Sequence, residues 1–359
     1  MSIKNLLIVF FLKVIRKFSP ARKESTDTPH FLVVTTTALG DSLWATPAIR
    51  ALKTSHPTCF LSVLTSPIGK EVLSDNPYVD KIYVLEKPHI SSLLKIFFQL
   101  RKKPINKAYI FHTSQRMILP FCYLLQPQEI VGTAGINKGL DTLLNISFKQ
   151  KPEHEIQRRL RMVNAPETAN PSLELFLTDS DRKNASSYRE RKHLSNSPVI
   201  IGMHPGAKDK FKQWPPECFI ELGNRLKQSL DCSILITGSP HEKELTEQIA
   251  RKIPGAIALT EKVPLKTLAG LIEKLDLFIT NDTGPMHVAF AMQTPTVSLF
   301  TVTDSNLCGP YLAKKATVIQ KHKTCTPCLR KRCMLPFCML QISPKEVEEK
   351  VHNSLKGAK

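Results

Sequence analysis

The chain has 359 residues, 42% hydrophobic and 23% charged. That is the composition of a globular protein, and the length is too great for one small domain and about right for two. Lys and Arg outnumber Asp and Glu by 50 to 31, giving a formal charge of +19, so the surface suits a polyanionic partner such as nucleic acid, anionic lipid or a phosphorylated substrate. No apolar run approaches the ~20 residues of a transmembrane helix.

Residues 1–28 form a segment of their own. MSIKNLLIVFFLKVIRKFSPARK sets an apolar run, Leu6 to Leu12, between Lys4 and Lys13, with Arg16, Lys17, Arg22 and Lys23 behind it. No small-residue cleavage site follows, so a secretory signal is not expected. The pattern is that of a basic amphipathic helix, either lying on an anionic membrane surface or docked on the protein itself; the basic flank favours the membrane. STDTP (25–29) reads as a linker.

FLVVTTT (31–37) then predicts a buried strand and SLWATPAIRALKTS (42–55) a helix. CFLSVLT (59–65), KIYVL (81–85), KAYIF (107–111) and EIVG (129–132) predict further strands, with helical segments between most of them. A polar, proline-spotted passage runs from Lys151 to Pro171 and holds one helix, EHEIQRRLRMV, and a linker, APETANP. The alternation restarts with PVIIGMHPG (198–206), SILITGS (233–239), GAIALT (255–260), DLFIT (276–280) and TVSLF (296–300). SPKEVEEKVHNSL predicts a final amphipathic helix. Strands alternating with helices argue βαβ units and parallel sheets. The expected fold class is α/β, with two Rossmann-like, doubly wound domains over 29–165 and 166–340 and a terminal helix over 341–359. In such sheets ligands bind outside the carboxyl ends of the strands, so two of them facing across a cleft would carry binding loops on both walls.

The chemistry-bearing motifs fall on those loops. ITNDTGPMHVAFAM runs from a strand into a helix. Thr283 or Gly284 suits the cap and Pro285 the first turn, where its missing N–H costs little. Free backbone N–H groups and the positive dipole end then offer a diphosphate site, with His287 near it; a plain cap at Asp282 and a packed His287 fit the same residues. HPGAKDKFKQWP (204–215) holds Gly206 for close backbone approach and Lys208, Lys210 and Lys212, cations suited to an anionic leaving group or to a solvated basic loop. ITGSPHEKEL delivers Gly238 and Ser239, then Glu242, a carboxylate able to take the two hydroxyls of a ribose or to stabilise a helix N-terminus.

GMHPGAKDKFKQWP, ITGSPHEKE and ITNDTGPMHVA, in this order, together with TTTALGDSLWATPAIRALK near the start, resemble glycosyltransferase family 9, the ADP-heptose:lipopolysaccharide heptosyltransferases. The resemblance spans roughly residues 30 to 350. It implies the GT-B architecture, with the acceptor held mainly by the first domain and the sugar nucleotide by the second. It implies Asp41 as general base, with Gly40 beside it in the family's Gly-Asp turn. It implies Lys212 on the donor phosphates, Glu242 on the ribose, and Asp282, Thr283, Gly284 and His287 around the donor's heptose and diphosphate; Gly206 and Gly238 complete the donor set, Gly206 with a looser match.

The implied reaction needs one carboxylate. A sugar hydroxyl is a poor nucleophile at neutral pH and wants a base within hydrogen-bond reach as it attacks. A lone Asp41 serves a single displacement with inversion, whereas a retaining double displacement would want a second carboxylate as nucleophile. A helix N-cap is the structural alternative for Asp41. Protein cations and N–H dipoles can carry the leaving charge, so no metal and no cofactor are expected beyond ADP-heptose as donor substrate. His112 and Arg116, after a strand end, are acceptor-site candidates. Lipopolysaccharide inner-core acceptors are anionic, so the N-terminal helix and KIFFQLRKK (95–103) would meet the cytoplasmic face of the inner membrane, and the protein is expected to be cytoplasmic and peripheral.

Nine cysteines are present, and Cys325, Cys328, Cys333 and Cys338 cluster. Four near thiols suit a metal or redox site, but the spacing is unlike a two-knuckle site, and reduced, packed thiols are the expectation. Two other classes fit parts of the pattern. One is a different GT-B enzyme, with another nucleotide-sugar donor or acting as a sugar-nucleotide epimerase. The other is a non-catalytic polyanion-binding protein. No RNP, zinc-finger or helix-turn-helix signal accompanies the charge, so nucleic acid is not an expected partner.

Overall fold

A computed structural model describes residues 3–18, 28–87, 89–112, 116–194, 197–329, 333 and 337–357. The chain divides into two compact units, Met1–Pro171 and Ser172–Lys359. Most of the proposed linker at 25–29, and part of the cysteine-rich stretch, lie outside the described residues.

The first unit runs α1 (Ile3–Phe18), β1 (His30–Thr35), α2 (Leu39–Ser55), β2 (Phe60–Thr65), α3 (Pro67–Leu73), β3 (Lys81–Val84), α4 (His89–Leu100), β4 (Lys107–His112), α5 (Ile118–Leu124), β5 (Glu129–Thr133), β6 (Ile146–Phe148) and α6 (Glu155–Met162). Its six strands pair in parallel in the order β3-β2-β1-β4-β5-β6. Central strands such as β1 are covered on both faces, which is why FLVV is apolar at every position rather than at alternate ones. Leu32, Val34, Ile110 and Ile130 of the sheet join Leu93, Leu100, Leu119 and Cys122 of α4 and α5 in one buried cluster.

The second unit runs α7 (Asp179–Arg191), β7 (Val199–His204), α8 (Pro216–Ser229), β8 (Cys232–Thr237), α9 (Lys243–Arg251), β9 (Ile257–Leu259), α10 (Leu265–Glu273), β10 (Leu277–Asn281), α11 (Gly284–Ala291), β11 (Thr296–Phe300), α12 (Ser305–Cys308), β12 (Ala316–Gln320) and α13 (Pro344–Gly357). Its sheet is also six-stranded and parallel, ordered β12-β11-β10-β7-β8-β9. Counted from its own first strand this is the same 3-2-1-4-5-6 order, the doubly wound Rossmann arrangement. The α13 helix packs on α8 and buries Val347 and Val351 in the core.

Each sheet therefore has one switch point, where the order reverses beside the first strand: between β1 and β4, and between β7 and β10. The α1 helix forms as its pattern predicts. It docks on the first unit by a narrow stripe, Asn5, Val9 and Leu12. Among the described residues no helix is long and apolar enough to cross a membrane.

Candidate functional site

At the first switch point α2 begins at Leu39, with Ala38 as its cap and no side-chain capping bond. Asp41 is thus the third residue of the helix, not its N-cap, and Gly40 stands beside it in the first turn. The helix that places its partner comes from far along the chain. The α6 helix packs against α2, and although it is strongly polar in sequence, its buried side includes Ile156, Arg158, Arg159 and Met162. Arg159 is fully buried, and its Nη2 donates to Asp41 Oδ1 at 3.2 Å. Its Nη1 donates to the Glu155 backbone carbonyl at 2.9 Å and to Glu155 Oε2 at 2.5 Å. The guanidinium also lies 5.4 Å from the Trp44 ring centre.

Arg158 completes the cluster. It donates to Glu155 Oε2 at 2.7 Å, to the Phe111 carbonyl at 3.1 Å and to Thr133 Oγ1 at 3.0 Å. These bonds tie α6 to the carboxyl ends of β4 and β5. Burial alone would raise the Glu155 carboxyl, but the Arg159 and Arg158 charges and their hydrogen bonds hold it down at about 2. Glu155 is therefore an anion set between the guanidinium groups of Arg158 and Arg159. Burial pulls Arg159 itself downward, opposed by Glu155 and Asp41. His112, at the end of β4, receives the Thr36 N–H on its carbonyl at 3.2 Å. Burial depresses its imidazole, with Asp41 pulling it up and Arg159 pushing it down. The neutral ring is then a hydrogen-bonding group rather than a third cation. Of the four residues named for this unit, Gly40, Asp41 and His112 converge, while Arg116 stands exposed on the turn before α5.

The Asp41 carboxylate is asymmetric. Oδ1 is held by Arg159, and Oδ2 has no hydrogen-bond partner among the described residues.

At the second switch point Asn281, the last residue of β10, pins both ends of the loop after β7. Its Nδ2 donates to the Pro205 carbonyl at 2.8 Å, and its Oδ1 accepts from Trp214 N at 3.1 Å. Trp214 is buried in the core and donates through Nε1 to the Ile342 carbonyl at 2.9 Å. Between these anchors Lys212 donates to Asp282 Oδ2 at 2.6 Å, and Thr303 donates to the same oxygen. Asp282 is buried and engaged with side chains rather than capping α11. The cap is Thr283, with Gly284 as first helical residue and Pro285 in the first turn. His287 is buried on α11, its ring edge-on to Phe290 at 5.9 Å.

The third loop meets the same place. Glu242 sits at the start of α9 and accepts from Ser239 N at 2.8 Å, in a capping box with Ser239. A Cβ at Gly206 would overlap the Glu242 carboxylate, and one at Gly238 would overlap Thr246 Oγ1. Both glycines are therefore close-approach positions. His204 is buried beneath them, hydrogen-bonded to Thr237 Oγ1 at 3.0 Å, and burial lowers its pKa despite the nearby Glu242. The loops of Gly206–Lys212, Gly238–Glu242 and Asp282–His287 thus gather at the carboxyl ends of β7, β8 and β10. That makes a basic, N–H-rich edge suited to a nucleoside diphosphate. Among the described residues, no group of three or more His, Cys, Asp or Glu is placed to hold a metal ion, and no disulfide joins Cys325, Cys328, Cys333 or Cys338.

Sequence reasoning missed Arg158, Arg159 and Glu155. Their one legible signal was the i,i+4 spacing of Glu155 and Arg159 on a helix, which is common on solvated helices.

Two parallel sheets of one strand order, each with charged side chains at its switch point, define the GT-B class of α/β proteins. The solved structure of Escherichia coli ADP-heptose LPS heptosyltransferase II has the same fold, with a TM-score of 0.75 at 21% identity over 91% of this chain and 99% of that one. A glycosyltransferase family 9 structure from Veillonella parvula does so with a TM-score of 0.81 at 20% identity, over 94% and 100%. Lipooligosaccharide heptosyltransferase 2 of Campylobacter jejuni is 25% identical over 329 residues, covering 90% of this chain and 97% of that relative. Lipopolysaccharide heptosyltransferase 3 of E. coli is 27% identical over 291 residues, covering 76% and 83%. Residues 132–338 match glycosyltransferase family 9 (heptosyltransferase), and the chain belongs to that family. Membership selects the glycosyltransferase reading over an epimerase or a non-catalytic polyanion-binding protein.

Proposed function

We propose that this chain transfers a heptose from ADP-heptose to an inner-core acceptor of lipopolysaccharide or lipooligosaccharide, by one displacement with inversion. Asp41 is the general base. The observation that carries this reading is the asymmetric carboxylate: one oxygen fixed by a buried arginine, the other without a hydrogen-bond partner among the described residues.

In the transfer, the acceptor oxygen forms its bond to the anomeric carbon as the carbon–oxygen bond to the diphosphate breaks. The hydroxyl proton goes to Asp41 Oδ2, and the electron pair leaves on the ADP phosphate. Lys212 is suited to receive that charge. An ammonium has three N–H donors, and Asp282 takes one. The backbone N–H groups at Thr283–Gly284 add their dipoles, and Glu242 takes the ribose hydroxyls. Gly206 and Gly238 keep the loops low enough for the nucleotide to approach. The first unit thus acts as the acceptor half, with Gly40 and His112 beside the base and Arg116 as an outlying cation. The enzyme works at the cytoplasmic face of an anionic membrane, where such acceptors reside, and needs no metal.

Calorimetry with ADP, UDP and GDP at two salt concentrations tests the donor half. A clear preference for ADP is expected; a preference for UDP or GDP would move the protein to another sugar nucleotide.

A further inference from the structure

The α1 helix is docked and yet leaves its most apolar side outward. Asn5 anchors it, donating to the carbonyls of Lys138 and Gly139 at 3.1 and 3.2 Å. Gly139 is at φ +79°, where a Cβ would overlap the Asn5 amide. Val9 and Leu12 follow on the same stripe, and Arg16 stacks on Tyr123 at 4.6 Å. At ~100° per residue, Leu7, Phe10, Phe11, Val14 and Phe18 lie across the helix from that stripe. All are exposed, Phe10 by 62%. Anchoring this firm fixes which side of α1 faces away from the protein.

The α4 helix repeats the pattern. Leu93, Ile96 and Leu100 are buried, while Ile90, Leu94 and Phe98 recur every four residues on the outer side, Phe98 exposed by 67%. Right-handed crossovers place α4 and α5 on one face of the first sheet. The path β1 to β3 moves one way and β3 to β6 the other, so α4 and α5 cover the face opposite α2 and α3. The α1 helix packs on α5, and α1, α4 and α5 share one buried cluster. Their outward stripes therefore belong to one side of the unit.

The charge around these stripes is predominantly positive. Neither α1 nor α4 contains an acidic residue, and Lys4, Lys13 and Lys17 flank the apolar side of α1. Beside the α4 stripe, between the helix and edge strand β3, lies a cavity of about 510 Å³. Lys81, Lys87 and Lys95 line it with Ser91 and Ser92, and Glu86 is the one carboxylate on its wall. A chain that exposes this many large apolar side chains on two helices of one face is presenting an interaction surface.

We propose that α1 and α4 form one bilayer-docking platform for anionic phospholipid. Both helices lie in the interface, their aromatic and aliphatic side chains in the acyl region, and Lys81, Lys87 and Lys95 bind headgroup phosphates. Apolar side chains rimmed by cations match an acyl boundary beneath phosphates. A second copy of the chain fits less well, because a two-fold contact would press lysines against lysines. This surface deepens the peripheral-membrane part of the proposed function and rests on that reading only for the site of action, since docking involves no donor or acceptor residue.

The test is flotation of the full chain with vesicles of phosphatidylcholine containing 30% phosphatidylglycerol, or of phosphatidylcholine alone, with ADP calorimetry on the same preparations. Wild type should float with the anionic vesicles at least 10-fold better than with neutral ones, and less so in high salt. Phe10→Glu/Phe11→Glu and, separately, Leu94→Glu/Phe98→Glu should each lower that binding at least 10-fold, with melting temperature and ADP binding unchanged. Lys87→Ala/Lys95→Ala should lower it about 3-fold. Wild-type binding equal for both vesicles, or absent, overturns the proposal. So does full vesicle binding by both glutamate pairs. Sedimentation of wild type as a dimer that Phe10→Glu/Phe11→Glu makes monomeric, with vesicle binding intact, would assign the face to self-association instead. Loss of ADP binding in wild type would count against the donor reading and leave the docking result standing.

Discussion

The two switch points share a strand order and oppose each other in charge. In the first unit the buried member of the ion pair is a cation: Arg159 is 0% exposed and its partner Asp41 17%. In the second it is an anion: Asp282 is 8% exposed and its partner Lys212 21%. Each sheet uses the deeper group to fix the shallower one, so the first unit offers solvent a carboxylate and the second an ammonium. A scaffold of one topology thereby presents a carboxylate at one edge and an ammonium at the other, the two groups that the proposed transfer uses as base and as phosphate-binding cation. Function lies in which sign is buried, not in the fold.

The comparison breaks most visibly at the buried arginine. Arg159→Met strips the Asp41 carboxylate of its only hydrogen bond among the described residues and leaves Glu155 with Arg158 alone. A loss of ~3 kcal/mol in denaturant unfolding is expected, as for removal of one partner of a buried pair, with turnover down on the order of 100-fold and donor affinity little changed. An effect on donor affinity alone would mean that α6 does not serve the base.

Lys212→Ala is the counterpart. It should weaken ADP binding about 10-fold in calorimetry and slow turnover further, because in the proposed transfer the lost cation acts on both bound diphosphate and leaving group. Turnover lowered with affinity intact would place Lys212 outside the ground-state donor site.

The smallest expected effect sharpens the electrostatics of the first unit. Glu155 is held at about 2 against an ordinary value of 4.5. A depressed carboxylate contributes stability that is fully present above the unfolded value and is lost as pH falls toward the folded one. Between about pH 4.5 and 2, wild type should therefore lose an increment of stability that Glu155→Gln does not. Parallel melting curves for the two proteins over that window would remove Glu155 from the cluster's charge balance.

Much of this was legible in the sequence, for a physical reason. Strands covered on both faces carry continuous apolar runs, FLVV in β1 and LFI in β10, ending near the loops that carry the motifs. The sixth strand of each sheet was not legible. Ile146–Phe148 is three residues at a half-exposed edge, and Ala316–Gln320 is an edge strand buried only at Ile319. The α7 helix escaped notice because Ala185 and Tyr188 are its only buried residues. The arginine cluster escaped for a deeper reason. A charged residue in sequence reads as solvent-facing, and nothing local distinguishes Arg159, fully buried against Asp41, from Arg161, which pairs with Glu153 near the surface. Gly206 reads as a position for close backbone approach, and the group that lies against it is the Glu242 carboxylate; the close approach of Thr246 to Gly238 was not legible.

The central claim is that Asp41 takes the acceptor's proton through the oxygen that Arg159 leaves unbonded. Its most direct test is single-turnover transfer from ADP-heptose to a heptose-deficient core acceptor, comparing wild type with Asp41→Asn, beside calorimetric donor binding. The amide keeps the size and the Arg159 contact but cannot accept the proton. A rate lower by 10²- to 10⁴-fold with unchanged ADP affinity is the predicted result. Transfer at the wild-type rate by Asp41→Asn would contradict it.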